Sequence, residues 1–410
     1  MKLNCLNSEK NLLIFIFLPF FIVSCAKEPE IKGIFVDFQK VDRVKKEVRK
    51  KNPAWLPAYN RLLEAAAMAL SEEPASVMDK KRIPPSGDKH DYLSLGTYWW
   101  PDSSKADGLP YIRKDGLVNP ETSGEYVDAG AKSSFFSNVE TLTWAYFFTG
   151  NRDYASRAMD WLDTWFVNPE TRMNPNLNFA QGIPGICDGR GIGIIDWSRI
   201  DMLITPIQIL DAYGMLKPET KTAVYSWFEV YLNWLLTSEF GKYEDNYFNN
   251  HGTWFDVQAT GIALLLGKTD IAKERLEKIT KKRIQSQIEP DGSMPHELAR
   301  TRSLSYSTMN LLGFSYLANL GQFTGVDLWN FETPDGRGIK KAHHYLLPFA
   351  AGEKQWTHPQ ITDPEGSVRN LGINFVVAES RTGDSFYRQV TEKSDTSRTD
   401  LKILLFPVFK

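Results

Sequence analysis

Apolar residues return at helical spacing along almost the whole of this chain, and that periodicity leaves few folds open to it. Trp55, Tyr59, Leu62, Leu63, Ala66 and Leu70 form the first stripe; similar stripes run through residues 137–149, 153–166, 199–215, 219–236, 253–266, 304–320 and 339–350. Such spacing is that of helices burying one face, and strand-like alternation is scarce. Helix pairs joined by loops and continued over 410 residues predict an all-α protein, a toroid of helical hairpins in a single domain with its function in loops at one end. A composition that is 42% hydrophobic and 13% aromatic suffices to fill such a core.

The N-terminus reads separately. Lys2 and Lys10 precede the apolar run Leu12–Val23, which is too short for a comfortable membrane span and suits the core of an export signal. The run ends in Val23-Ser24-Cys25 with polar residues behind it, a relaxed lipoprotein box in which Cys25 is lipidated, preferred over a plain cleaved signal or an uncleaved anchor. Residues 1–25 are therefore read as the signal and 26–410 as the folded domain. The expectation is an exported periplasmic or outer-membrane lipoprotein, monomeric, that meets the membrane only through its lipid. Lipidation leaves Cys187 as the one mature cysteine, so no internal disulfide is expected. Behind the box, KVDRVKKEVRKKN reads as a charged stretch.

Two long segments break the helical pattern, Leu93–Thr122 and Asn168–Trp197, and both are dense in Gly, Pro, Asn and aromatic residues. Ordered loops of that length, about 30 residues, tend to be functional, and these are read as walls of a cleft. Lys+Arg of 48 against Asp+Glu of 50 gives no basic field for nucleic acid. An acidic polymer would need a local basic cleft.

Two further stretches read as loop-to-helix entrances. Asn249-Asn250-His251-Gly252-Thr253-Trp254 precedes an apolar run, and the turn Asp291-Gly292-Ser293-Met294-Pro295 precedes His296-Glu297-Leu298-Ala299-Arg300-Thr301-Arg302-Ser303-Leu304-Ser305-Tyr306. Taken singly, each residue has a plain explanation: a capping histidine, solvated arginines, a packed tyrosine.

Together, Asn-Asn-His-x-x-Trp followed by Asp-Gly-Ser-x-Pro-x-Glu-Leu-Ala-Arg and then Tyr resembles the alginate lyase superfamily of helical-toroid polysaccharide lyases. Asn174–Leu177, Gln181–Gly185 and Gly189–Gly193 look like the same family, so the resemblance spans roughly residues 90–320. It implies an incomplete (α/α) toroid with a cleft at one end, cutting the 4-O-glycosidic bond of a uronic-acid polymer by β-elimination. By position it implies Asn250 and His251 as the amide-histidine pair, Arg300 as the arginine, Tyr306 as the catalytic tyrosine and Gln181 as a cleft-lining amide. The arginine-to-tyrosine spacing is shorter than in the mannuronan-specific members, so Arg302 stays a rival for the arginine role. Asn138 stays a rival for the amide.

These residue types suit the reaction. Removing the C5 proton of a uronate builds charge on its carboxylate, which Asn250, Arg300 and a protonated His251 could stabilise. Tyr306 could then take the C5 proton and protonate the departing O4. In mannuronate the two lie on one face, so one group serves both; guluronate would require a second base, for which His251 is the candidate. A tyrosine in this role needs a neighbouring cation, Arg300 or Arg302, and a neutral-to-alkaline optimum is expected. Tyr98, Trp99, Trp100, Tyr111 and Trp254 are candidate sugar-stacking rings, and Arg113, Lys132 and Arg190 candidate partners of flanking carboxylates. No metal and no cofactor are expected; His343-His344 is read as a surface pair. Two alternatives remain: a glycoside hydrolase using Asp196, Asp245 or Asp256, and a surface glycan-binding lipoprotein that cuts nothing. No appended β-domain is expected after Gly325.

Overall fold

The computed structural model describes residues 29–391 and 399–409; the Leu12–Val23 segment and Cys25 lie outside them. Residues 31–410 make one compact unit and residues 1–30 another, of which only Pro29 and Glu30 are described.

Helices build the framework. In chain order they are α1 Phe38–Arg49, α2 Leu56–Ser71, α3 Ala129–Thr149, α4 Arg152–Leu162, α5 Asp201–Ala212, α6 Pro218–Thr237, α7 Glu239–Asp245 and α8 Asn250–Leu265. There follow α9 Thr269–Glu274, α10 Lys281–Gln287, α11 Pro295–Leu298, α12 Ser303–Leu320, α13 Ile339–Ala350, α14 Pro364–Thr382, α15 Arg388–Thr391 and α16 Leu401–Leu405. Each long stripe read from the sequence corresponds to one of them. Local chemistry sets their ends: Gly150 takes a left-handed φ of 75° and stops α3, and the Asn151 side chain caps α4 by accepting from the Asp153 amide.

The helices pack in a circuit. α3 lies against α2, α4 and α5, α5 against α8, α8 against α12 and α12 against α14; α16 touches α14 and also α1 and α2, so the first and last described helices meet. Outer helices such as α4 bury one stripe (Ala155, Ala158, Trp161, Leu162), whereas α8 and α12 are buried on nearly every face, as helices in an interior must be. Their polar side chains are paired there: Gln287 Oε1 accepts from Thr253 Oγ1 and from Asn310 Nδ2, each at 3.0 Å. This is the helical toroid, and after Gly325 the described residues continue as helices and loops.

Two readings need correction. The charged stretch is helix α1, which buries Phe38, Val41, Val44 and Val48; the dense lysines mask an apolar stripe spaced by three and four residues. The two long loops contain short strands. β1 Leu93–Leu95 pairs in parallel with β4 Phe179–Gly182, and β2 Trp99–Trp100 pairs antiparallel with β3 Ile112–Arg113. The first pairing ties the two loops into one wall, and Gly182 permits it, because a Cβ there would stand 2.5 Å from the Asp188 carbonyl oxygen.

Candidate active site

A cavity of about 700 Å³ opens where the two loops face the start of α8 and the α11–α12 junction. Asn250, His251, Arg300 and Tyr306 all line it.

The start of α8 is held from beneath. The Asn249 side chain caps the helix by accepting from the His251 amide at 3.1 Å. Asp256, wholly buried one helical turn further on, receives Arg275 Nη1 at 2.7 Å and Arg283 Nε at 2.8 Å. The same guanidinium reaches Asp245 Oδ1 at 2.7 Å and the Tyr247 carbonyl at 3.2 Å, fixing the turn that delivers Asn250 and His251. Gly252 leaves room for it, since any Cβ there would collide with Arg283.

A buried carboxylate stands behind each member of the pair. Glu297 accepts from the Asn250 amide at 2.7 Å and from its Nδ2 at 2.8 Å, which leaves one Nδ2 proton for the cavity. Burial pushes the Glu297 carboxyl up to about 7, against the pull of those two hydrogen bonds. Glu244, also wholly buried, has Oε1 2.8 Å from His251 Nδ1; an ionised Glu244 makes Nδ1 the protonated nitrogen and turns Nε2 to face another partner.

In the same lining the Tyr306 hydroxyl lies 2.6 Å from the Tyr98 hydroxyl and accepts from Arg300 Nη2 at 3.0 Å. The Arg300 guanidinium also sits 4.0 Å from the Tyr306 ring centroid. Its Nη2 and Nε donate to Asp115 at 2.9 and 3.3 Å, and Thr301 Oγ1 donates to the same carboxylate at 2.9 Å. Arg300 holds Asp115 well below the usual carboxylate range despite burial. For Tyr306 the balance runs upward: burial first, then Tyr98, raise it, and Arg300 opposes them. The expected cation is in place, but it does not outweigh desolvation.

Arg300, rather than Arg302, is thus the arginine at the tyrosine. Arg302 pairs through its backbone with Gln360, accepts from the Tyr306 amide at 3.0 Å and does not line the cavity. Arg300→Ala is expected to lower kcat/KM about 100-fold or more, as for loss of a preorganised donor, and Arg302→Ala less than about threefold. Initial rates of the two variants decide it, and the reverse ranking sinks the assignment.

Gln181 and Arg190 form the third side. Gln181 adopts a left-handed φ of 49°, donates through Nε2 to Asp196 at 2.7 Å, and accepts Arg190 Nη2 on Oε1 at 3.0 Å. Trp99 and Arg113 also line the cavity.

Other expected site residues lie elsewhere. Trp254 is core, 1% exposed, its indole N–H donating to the Met309 carbonyl, because its side of α8 faces α12. Asn138 is buried in α3 and Lys132, on the same helix, lies over the Phe136 ring; neither lines the cavity. Trp100 donates to the Leu117 carbonyl and Tyr111 to Glu121, both outside the lining. His343 is wholly buried, with Nδ1 3.0 Å from the Ile339 carbonyl oxygen, and burial lowers it to about 4; the surface reading of the pair is wrong for it. The carboxylates of the hydrolase alternative are committed elsewhere, Asp245 and Asp256 to arginines and Asp196 to Gln181, Ser94 and Tyr92.

Sequence reasoning missed Glu244, Glu297 and Asp115. Glu297 stood in plain view within His-Glu-Leu-Ala-Arg. Glu244 has only its seven-residue offset from His251, and nothing in the sequence connects Asp115 with Arg300, 185 residues away.

A family profile described as alginate lyase matches residues 76–356. Among curated proteins none matches. Among solved structures, the crystal structure of an alginate lyase from Bacteroides ovatus is 35% identical, covering 93% of this chain and 100% of that one, with a TM-score of 0.88. Alginate lyase A1-III, known from Sphingomonas species A1, is more distant. A histidine-to-alanine variant of it complexed with tetrasaccharide is 18% identical over 93% of this chain and 97% of that one, TM-score 0.54. A tyrosine-to-phenylalanine variant, also complexed with tetrasaccharide, is 17% identical over 93% and 97%, TM-score 0.53. At that distance the likeness speaks for the toroid fold.

Proposed function

The chain belongs to the alginate lyase family and is a polysaccharide lyase, and from that premise we propose that it cleaves a mannuronan, or the related glucuronan, with Tyr306 as both base and acid. One observation carries this reading: the Tyr306 hydroxyl, gripped by Tyr98 and Arg300, lines the same cavity as Asn250 and His251.

The steps follow from the geometry. The substrate carboxylate meets the free Nδ2 proton of Asn250 and the Nε2–H of a doubly protonated His251 whose Nδ1–H stays on Glu244, and hydrogen bonds from them favour the charge that develops as C5 loses its proton. Arg300 takes a different part than carboxylate binding, because Asp115 already occupies its Nε–Nη2 edge; it stabilises the Tyr306 phenolate. That phenolate accepts the C5 proton, the C4–O4 bond breaks as the C4–C5 double bond forms, and the resulting phenol protonates O4. A single residue suffices when C5–H and O4 share a face, which favours mannuronan over guluronan. The binding-protein alternative is weaker, since binding alone does not call for this set. Export through Leu12–Val23 and lipidation at Cys25 belong to the same proposal, with 26–410 as the mature domain; loss of labelled palmitate in Cys25→Ser would support it.

Ultraviolet absorbance of the unsaturated product on polymannuronate, polyguluronate, glucuronan and chondroitin tests the substrate. A rise on polymannuronate or glucuronan is expected, and silence on both overturns the reading. The pH profile tests the machinery. Because Tyr306 is raised, its phenolate fraction keeps growing into the alkaline range, so kcat/KM should climb there. Below about 7 Glu297 takes up a proton and one of its oxygens can no longer accept from Asn250, so activity should fall. Glu297→Gln mimics the protonated form and is expected to be slower, with the acid limb gone; a variant that keeps that limb refutes the link.

A further inference from the structure

We infer that Tyr243, Tyr247 and Phe248 form a sugar-stacking platform at the cavity mouth, an additional subsite for a uronate residue of a chain running past the site. The inference rests on the uronan reading above.

Among the described residues only three aromatic side chains are more than half exposed, Tyr126, Tyr243 and Phe248, and two of them lie here, each at 57%. Large apolar rings that are left in water next to a cavity mark a binding surface more often than an oversight of packing. Tyr243 and Tyr247 line the cavity itself, so the surface is continuous with it. The rings form a connected series: Tyr243 to Tyr247 with centroids 5.7 Å apart, Tyr247 stacked on Phe248 at 5.0 Å and 16°, and Phe248 edge-on to His296 at 4.8 Å. Tyr247 also lies 5.2 Å from the His251 ring, which joins the platform to the catalytic pair.

The platform is rigid. Arg283, anchored on Asp256, holds the Tyr247 carbonyl, and the Tyr247 amide donates to the Glu244 carbonyl at 3.0 Å. Little ordering entropy is then lost when a ligand arrives. Burial, then Tyr243 and Glu244, raise the Tyr247 hydroxyl, and Arg113 and Arg190 oppose them; these two arginines, which also line the cavity, suit an acidic sugar. A uronate could lay its C–H face on the rings while its carboxylate meets Arg113, whose Nη2 donates to Asp115 at 2.7 Å but whose side chain is 55% exposed and has further N–H donors. Phe248, just beyond the lining, serves polymer that extends past the cavity, as a chain cut internally does.

Calorimetric titration of Tyr306→Phe protein, with and without Phe248→Ala, tests the platform apart from catalysis. With polymannuronate and glucuronan the second substitution should weaken binding about three- to tenfold, the range for one aromatic stacking contact; with mannuronate and glucuronate trisaccharides, short enough to sit within the cavity, the change should stay under about twofold. Phe248→Leu keeps apolar volume without a flat face and should weaken polymer binding equally, whereas Phe248→Tyr should restore it. Equal affinity with and without Phe248, or full retention by leucine, overturns the platform. Should the wild-type enzyme cleave neither polymer while Phe248→Ala still weakens binding, the lyase substrate reading fails and the platform stands.

Discussion

Tyr306→Phe is expected to lower kcat about 1,000-fold, within the roughly 100- to 10,000-fold range of positioned acid–base groups, with KM changed little. The substitution removes one oxygen whose partners are the Tyr98 hydroxyl and Arg300. Arg300 keeps its two bonds to Asp115, and the Tyr98 hydroxyl at the cavity wall can take a water in place of its lost partner. The ring also stays where the Arg300 guanidinium covers it. Fold and substrate contacts are thus retained, while both proton transfers of the proposed mechanism lose their carrier. Steady-state kinetics on polymannuronate, with a melting curve alongside, checks this. A variant that keeps more than about a tenth of the wild-type kcat would show that another group moves the proton, and His251, backed by Glu244, would be next in line.

A second large effect concerns stability. Asp256→Ala should destabilise the protein by about 3–5 kcal/mol, the loss expected when one partner is taken from a buried ion pair. Asp256 is wholly buried and receives both Arg275 and Arg283, which are 6% and 7% exposed. Without it, two buried guanidiniums share Asp245 alone. The damage should also reach the site, because Arg283 holds the turn from which Asn250 and His251 start. Chemical denaturation measures the first and kcat/KM the second. The experiment separates two views of this carboxylate: a hydrolase's acid or base would lose activity on substitution with stability intact, whereas a network anchor loses stability. A change under about 1 kcal/mol would remove the anchor role.

How far the sequence reaches depends on the element. The long helices α2–α6, α8, α12 and α13 are legible because each leaves a period in its apolar residues, whereas α7, α9, α10 and α11, of four to seven residues, are too short to leave one. α14 leaves a poor one: Leu371 through Ser380 are all buried, and a helix buried on all sides has no polar face to mark it. α1 is missed for the opposite reason, its stripe crowded by lysine and arginine. At the site, Asn250, His251, Arg300 and Tyr306 are legible because they sit in two contiguous motifs, each at the entrance of a helix. Trp254 belongs to the same motif and is misassigned, since one turn further along α8 the helix is already packed against α12, where the indole donates to the Met309 carbonyl.

By itself, the sequence determined that this chain is a helical toroid, and which short segments would line its cavity, because periodicity and contiguous motifs are local properties written along the chain. The tertiary structure alone decided which arginine stands at Tyr306, which carboxylates brace the pair and that Tyr98 reaches the tyrosine across 208 residues. Those choices are made by β1–β4 pairing and by helices meeting around the ring, and distances between elements depend on the packing of the whole core.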